Sequence, residues 1–178
     1  MKPRLIICEG PDNCGKSTLA KRIAEHFHGV YWRLTSGKGL SEHDAMRLYQ
    51  QNALDNAEIN IREMRRVVVL DRHWPSDQVY GPVLRGRPSC SGIEMEARCA
   101  TLDAVYIYCH RKNMVEEHAK SKDPDHPYED SVYEQVVLGY DNFFHGLQQR
   151  RDVIGYYLNN FINREEQLKM FFEGLTKV

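Results

Sequence analysis

Eight consecutive residues, Gly10-Pro11-Asp12-Asn13-Cys14-Gly15-Lys16-Ser17, carry the spacing Gly-x-x-x-x-Gly-Lys-Ser. Small residues at Gly10 and Gly15 let the backbone wrap an anion with its N–H groups, which converge where a helix N-terminus bears partial positive charge. Read as a phosphate-binding loop, the stretch commits Gly10, Asn13, Cys14, Gly15, Lys16, Ser17 and Thr18 to the phosphates of ATP. The Lys16 ammonium then reaches the β- and γ-phosphates and the Ser17 hydroxyl ligates Mg²⁺. The flanks supply the context this motif needs. Leu5, Ile6, Ile7 and Cys8 form a short apolar run ahead of it, and Leu19, Ile23 and Phe27 lie at helical spacing behind it.

Four acidic or basic positions near this loop need a reason. Asp12 lies inside the loop, where its charge repels phosphate; either it stabilises the turn through its own backbone or it faces something other than phosphate. Glu9, just before Gly10, either supports the metal and loop or caps the turn. Asp71-Arg72 ends the apolar run Val67-Val68-Val69-Leu70, and a strand there finishes beside the loop.

The elements that must position these groups follow in chain order. The first helix ends near His28, with Gly29 as its stop signal, and residues 30–34 form the second strand. Residues 35–39 are a loop. Ser41 is an N-cap candidate for one long helix or two shorter ones, closed by Arg65 and Arg66 at the favoured cationic end. A third strand covers 67–71. The stretch from Trp74 to Gly92 carries Pro75, Gly81, Pro82, Gly86, Pro88 and Gly92, which predicts a helix over about 76–84 followed by an irregular segment. A helix over 93–102, a strand over 104–109, a helix from near Asn113 and a charged loop over 120–127 come next. A helix over 129–149, a strand over 153–158 and a helix over 164–175 close the chain. Alternating strands and helices predict an α/β fold with a five-stranded parallel sheet flanked by helices, and with the phosphate loop after the first strand this is a P-loop NTPase-type three-layer sandwich. Ligands then collect at the carboxyl ends of the strands.

The 178 residues predict a single domain over 1–178, with a short lid around 112–128. With 24 Lys+Arg against 25 Asp+Glu, the net charge of -1 argues against a stable nucleic-acid or membrane partner. Five cysteines with no Cys-x-x-Cys pair suit reduced thiols, and the apolar run after Met1-Lys2-Pro3-Arg4 is too short for a signal peptide, so a cytoplasmic protein is expected. No Asn-Lys-x-Asp tetrapeptide occurs, which weighs against a GTPase.

The chain resembles the thymidylate kinase family of P-loop nucleoside monophosphate kinases over roughly residues 4–150. The resemblance rests on Cys8-Glu9-Gly10 entering the loop, Arg33 ending the second strand, and Asp71-Arg72-His73 followed by Ser76 and Tyr80 in an Asp-Arg-x-x-x-Ser-x-x-x-Tyr spacing. It implies phosphoryl transfer from ATP to a deoxynucleoside monophosphate. Asp71 and Arg72 would sit where metal, donor and acceptor phosphates meet, with Ser17 and Asp71 on the metal. Asp12 would face the acceptor's sugar. Arg33 would clamp the acceptor phosphate, as an anionic acceptor needs a cation more than a base; a surface ion pair is its plain alternative. Tyr49 and Asn52 occupy the segment that faces the base, with Ser76 and Tyr80 also on the acceptor side. The family's arginine in that segment has no clear match here, which leaves thymine, guanine and a modified adenine open as bases. No extra arginine lies in the loop, so Lys120 and Lys122, with Arg111 beside them, are the candidates to reach the transferred group from the lid. The resemblance also implies a homodimer. The rival readings are a deoxynucleoside kinase acting on a bare 5′-hydroxyl and a switch protein that binds ATP without transferring phosphate. The loop after the second strand, Leu34 to Gly39, carries no acid to serve as a base for the former.

Overall fold

The computed structural model describes residues 4–33, 43–121, 129–158 and 164–175. The elements, in order, are β1 (Leu5–Glu9), α1 (Lys16–His26), β2 (Val30–Arg33), α2 (His43–Arg62), β3 (Val68–Asp71) and α3 (Trp74–Arg85). They continue as α4 (Gly92–Ala100), β4 (Val105–Arg111), α5 (Met114–Ser121), α6 (Asp130–Leu147), β5 (Val153–Leu158) and α7 (Arg164–Leu175). The strands form one sheet in the order β2-β3-β1-β4-β5. Every pairing is parallel, as strand-helix alternation requires. Register sets the strand ends level with one another: Cys8 pairs with Asp71, Asp71 with Arg33, and Glu9 with Tyr108.

The pleat of β1 divides the core. Leu5 and Ile7 face one cluster with Leu54, Ala57, Trp74, Met95, Val136, Tyr140 and Phe144, so α2, α3, α4 and most of α6 cover that face. Ile6 and Cys8 face the other, with Leu19, Ile23, Met114, Leu168 and Leu175 from α1, α5 and α7. Every residue of β1 is buried, which is why Leu5 to Cys8 read as an unbroken apolar run. No helix of the described residues is long and apolar enough to cross a membrane.

Several boundaries differ from the sequence reading. Helix α1 stops at His26, and the left-handed residue after it is His28 (φ 49), not Gly29. Gly29 is needed for space instead: a Cβ there would lie 2.6 Å from the Val67 carbonyl oxygen. Helix α2 is one helix that ends at Arg62, so Arg65 (φ 55) and Arg66 lie beyond it rather than in its last turn. Helix α3 begins at Trp74, with Pro75 in its first turn, and continues through Pro82. Pro82 therefore sits inside the helix, lacking the N–H that would bond the carbonyl four residues back. Of the expected charged loop over 120–127, residues 120 and 121 belong to α5; its remainder, the expected loop over 35–39 and the Ser41 cap lie outside the described residues.

Candidate active site

The phosphate loop is shaped by close approach to β4. Gly10 has φ 147, and a Cβ on it would fall 2.1 Å from the Cys109 carbonyl oxygen, so no other residue fits. Asn13 (φ 64) and Gly15 (φ 85) take the left-handed turns that bring the chain round to α1. Gly15 caps that helix without a side-chain hydrogen bond, which leaves the first helical N–H groups to an incoming anion. Lys16 is buried and its ammonium donates to the Pro11 carbonyl at 3.1 Å, spanning the loop, with Asp12 Oδ1 3.6 Å away. Ser17 is half-buried and Thr18 is exposed. The buried Cys14 side chain shares a hydrogen bond with the Cys109 thiol. Burial raises its pKa, but that contact and the Lys16 charge outweigh it and bring the thiol down to about 7.

Asp71 closes β3 with 1% of its surface exposed. Its Oδ2 accepts from the Tyr31 hydroxyl at 2.9 Å and has Arg33 Nε at 3.8 Å, whereas Oδ1 is buried without a hydrogen-bond partner. A buried orphan carboxylate oxygen needs a counter-charge. Asp71 and the Ser17 hydroxyl at the loop fit Mg²⁺, which takes hard oxygen ligands from one or two side chains and leaves the rest to phosphates and water. Among the described residues no group of three or more His, Cys, Asp or Glu could hold a metal.

Arg72, at φ 72, is strained where bulky residues seldom go. Its guanidinium gathers the site: Nη1 donates to Ser76 Oγ at 3.0 Å and to the Tyr140 hydroxyl at 2.8 Å, and Nη2 donates to Asp12 Oδ1 and, at 3.4 Å, to the Tyr80 hydroxyl. Tyr80 in turn donates to Asp12 Oδ2 at 3.0 Å. Asp12 is thus held by a cation and a phenol across the crevice, with the Tyr133 hydroxyl on its carbonyl at 2.6 Å. Beneath lies Glu9, with none of its surface exposed, accepting from His73 N–H at 2.6 Å, Ser76 Oγ at 2.6 Å, Ser76 N–H at 3.4 Å and the Tyr140 hydroxyl at 3.2 Å. Burial pushes its carboxyl up while Arg72 pulls it down. Glu9 therefore ties the N-terminus of α3 to the end of β1, which helix polarity favours. Tyr133 and Tyr140 were missed by sequence reasoning, because tyrosines at helical spacing read as core. Both are indeed buried, and only their hydroxyls reach the site.

The remaining expected residues are spread out. Arg33 is 58% exposed beside Asp71, and Tyr49 donates to the Arg33 carbonyl at 3.4 Å. Tyr80 and Ser76 lie on α3 in the Arg72 network. Asn52 is exposed, its carbonyl accepting from Asn56 at 2.9 Å, and it is not brought to the cluster. Two residues earlier on α2, Gln50 is buried against α3. Arg111 ends β4. The Lys120 side chain and Lys122 lie outside the described residues.

No family model and no curated protein sequence matches the chain. Solved structures do. The YorR protein of Bacillus subtilis, solved in complex with phosphorylated GDP, is 17% identical with a TM-score of 0.69 over 97% of this chain and 95% of that one. Deoxyadenosine kinase from M. mycoides with bound dCTP is 11% identical, with a TM-score of 0.64 over 98% of this chain and 100% of that one. Thymidylate kinase from Ehrlichia chaffeensis is 16% identical, with a TM-score of 0.55 over 100% of both chains. The chain has the fold that these P-loop kinases share.

Proposed function

We propose that this chain is a nucleotide kinase that transfers the γ-phosphoryl group of ATP to a deoxynucleoside monophosphate, giving the diphosphate. The observation that carries the reading is the level placement of Arg33, Asp71 and the phosphate loop at the carboxyl ends of the neighbouring strands β2, β3 and β1. An outward cation at the end of β2 faces, across a buried carboxylate, the loop that cradles the donor. Phosphoryl transfer needs positioning and charge neutralisation, and this arrangement offers both. Lys16 and the loop N–H groups would hold the triphosphate, and Arg33 would clamp the acceptor phosphate. Arg72 would turn the Asp12 carboxylate toward the acceptor's sugar, with Tyr80 beside it. Mg²⁺, held by Ser17 and Asp71, would offset charge on the phosphate oxygens. The folds of deoxynucleoside and deoxynucleotide kinases both support transfer to a nucleotide-like acceptor. Glu9 speaks against a nucleoside kinase that would use it as the base, since its carboxylate is buried and saturated by four contacts.

The same reading assigns residues 1–178 to one kinase domain whose lid, around 112–128, brings Lys120 and Lys122 to the transferred group. It places the enzyme in the cytoplasm, in keeping with five unpaired buried cysteines, and as a homodimer. The test is ADP formation from Mg-ATP with each deoxynucleoside and each monophosphate. Turnover is expected with monophosphates, abolished in Lys16→Ala. In Arg33→Ala the acceptor KM should rise about tenfold or more while the ATP KM holds, as loss of a charge-assisted contact predicts. Turnover with bare nucleosides alone would overturn the acceptor assignment; none with any acceptor would leave an ATP-binding switch.

A further inference from the structure

Tyr31 stands two residues before Arg33 on β2, level with Val69 of β3. Side chains two apart on a strand share a face. Val69 and Tyr31 pack into the cluster that α1 covers, so Asp71 and Arg33, each two residues further on, leave the sheet on that same face. It is the face on which α1 starts with Lys16 and Ser17. The Arg72 N–H donates to the Cys8 carbonyl at 3.0 Å, which seats the end of β3 against the entrance to the phosphate loop. Register and pleat thus put the Asp71 carboxylate beside the loop.

The two oxygens of that carboxylate are in different conditions. Oδ2 accepts from the Tyr31 hydroxyl at 2.9 Å, whereas Oδ1 is buried with no hydrogen-bond partner. Arg33 is a looser neighbour of Oδ2: its Nε, at 3.8 Å, is beyond hydrogen-bond reach and its side chain is largely exposed. Tyr31 is held more firmly. Its ring packs on the core cluster, and the Lys21 ammonium lies over it, 5.8 Å from the centroid. A phenol facing a carboxylate can only donate, so the hydroxyl occupies Oδ2 and leaves Oδ1 as the open acceptor.

Resting on the assignment of Asp71 to Mg²⁺ made above, we infer that Tyr31 makes Asp71 a one-oxygen ligand and thereby selects Mg²⁺ over Ca²⁺ at the nucleotide site. The two ions ask different things of a carboxylate. Mg²⁺ is small, keeps several waters and takes single oxygens in a near-ideal octahedron. Ca²⁺ is larger, gathers about six to eight oxygens and readily takes both oxygens of one carboxylate. With Oδ2 engaged by Tyr31, the two-oxygen mode costs a largely desolvated hydrogen bond, so Ca²⁺ forgoes a ligand that Mg²⁺ does not use. Selectivity between these ions lies in ligand number and flexibility, and the hydroxyl restricts both for this carboxylate. Tyr31 is a positioning residue, acting through Asp71 rather than on the ion itself.

The test is calorimetric titration of the full chain with ADP in EDTA, in excess Mg²⁺ and in excess Ca²⁺, which needs no turnover. The wild type is expected to bind ADP about tenfold or more tightly with Mg²⁺ than with Ca²⁺. Tyr31→Phe, which frees Oδ2, should bring that ratio at least about fivefold closer to unity by strengthening the Ca²⁺ complex, with affinity in EDTA held within about twofold. A merely structural hydroxyl would weaken both metal complexes alike. Asp71→Asn offers a single oxygen whatever Tyr31 does, so adding Tyr31→Phe to it should leave the ratio where Asp71→Asn puts it. Thermal melting confirms that each variant is folded. Infrared difference spectra of the wild type, with aspartate isotopically labelled at the carboxyl, supply a readout free of Tyr31 variants. Mg-ADP should give the wide separation of the two carboxylate stretches that one-oxygen coordination produces, in a band absent from Asp71→Asn. A narrow separation, a wild type that binds ADP equally with either metal, or a folded Tyr31→Phe protein with the wild-type ratio would overturn this inference while leaving Asp71 on the metal. Equal affinity in EDTA, Mg²⁺ and Ca²⁺ would remove the metal assignment and the inference with it.

Discussion

At the scale of single residues, the site is governed by buried charges that cannot be separated. Arg72 bonds Asp12 on one side and, on the other, Ser76 and Tyr140, whose hydroxyls bond Glu9, so its removal would take the nearest cation from Asp12 and loosen the partners of Glu9. His73 beside it shows the opposite condition, a titratable group kept neutral. Its Nε2–H donates to Gln50, its Nδ1 is buried without a partner, and burial lowers its pKa to about 4. Between pH 4 and the unfolded value of 6.5 the unfolded chain binds a proton that the folded chain refuses. Stability from this group is therefore full above pH 6.5 and falls as pH drops toward 4, by on the order of 3 kcal/mol. His73→Gln keeps an N–H for the Gln50 carbonyl without the titration. Urea unfolding across pH 4–7 should show a flatter acid limb for that variant than for the wild type. Glu9, whose raised pKa acts in the other sense, is common to both proteins and cancels in the difference.

At the scale of elements, α3 is the pivot. Its N-terminus is bound by Glu9 and its first turn carries Arg72's partner Ser76. Its middle presents Tyr80 and Asp77, and its C-terminal half receives the segment that holds Cys90. Gly81→Ala would force that segment outward, since a Cβ meets Arg87 O at 2.9 Å as well as Pro88. The expected cost is about 1–3 kcal/mol of stability by overpacking. Acceptor kinetics should change while ATP binding holds, which paired denaturation and steady-state measurements would check. The sequence placed α3 by its punctuation and so began it near Ser76, after Pro75, yet Pro is welcome in a first turn. The same reasoning took Gly29 for a helix stop, where the packed Val67 carbonyl is the real constraint. In both cases tertiary contact, invisible in local sequence, set the role of a Gly or Pro.

At the scale of the whole molecule, two cores clasp one parallel sheet, and the phosphate loop is the point where β1, α1, β3 and β4 all converge. Ligand bound there should stabilise every element at once. At 100 times its Kd, Mg-ATP should add about 2.7 kcal/mol, raising the melting temperature by roughly 5–10 °C for a chain of this size. Scanning calorimetry of Lys16→Ala should show that rise lost; an equal rise in that variant would place the nucleotide elsewhere.

The sequence by itself determined the strand-helix alternation, the phosphate loop and the residues at its rim, because hydrophobic period and glycine spacing are local signals. Arg33, Asp71 and Arg72 were legible for the same reason: each follows directly on an apolar run. Only the tertiary structure decided which side chains those residues meet. Asp12 is turned by Arg72 and Tyr80 from 60 and 68 residues away. The hydroxyls of Tyr133 and Tyr140 belong to the site although their rings belong to the core. On α2 the turn of the helix hides Gln50 and exposes Asn52, two amides that sequence alone cannot rank. A hydrogen bond between distant segments depends on register and helix phase in three dimensions, and neither is written in the order of the residues.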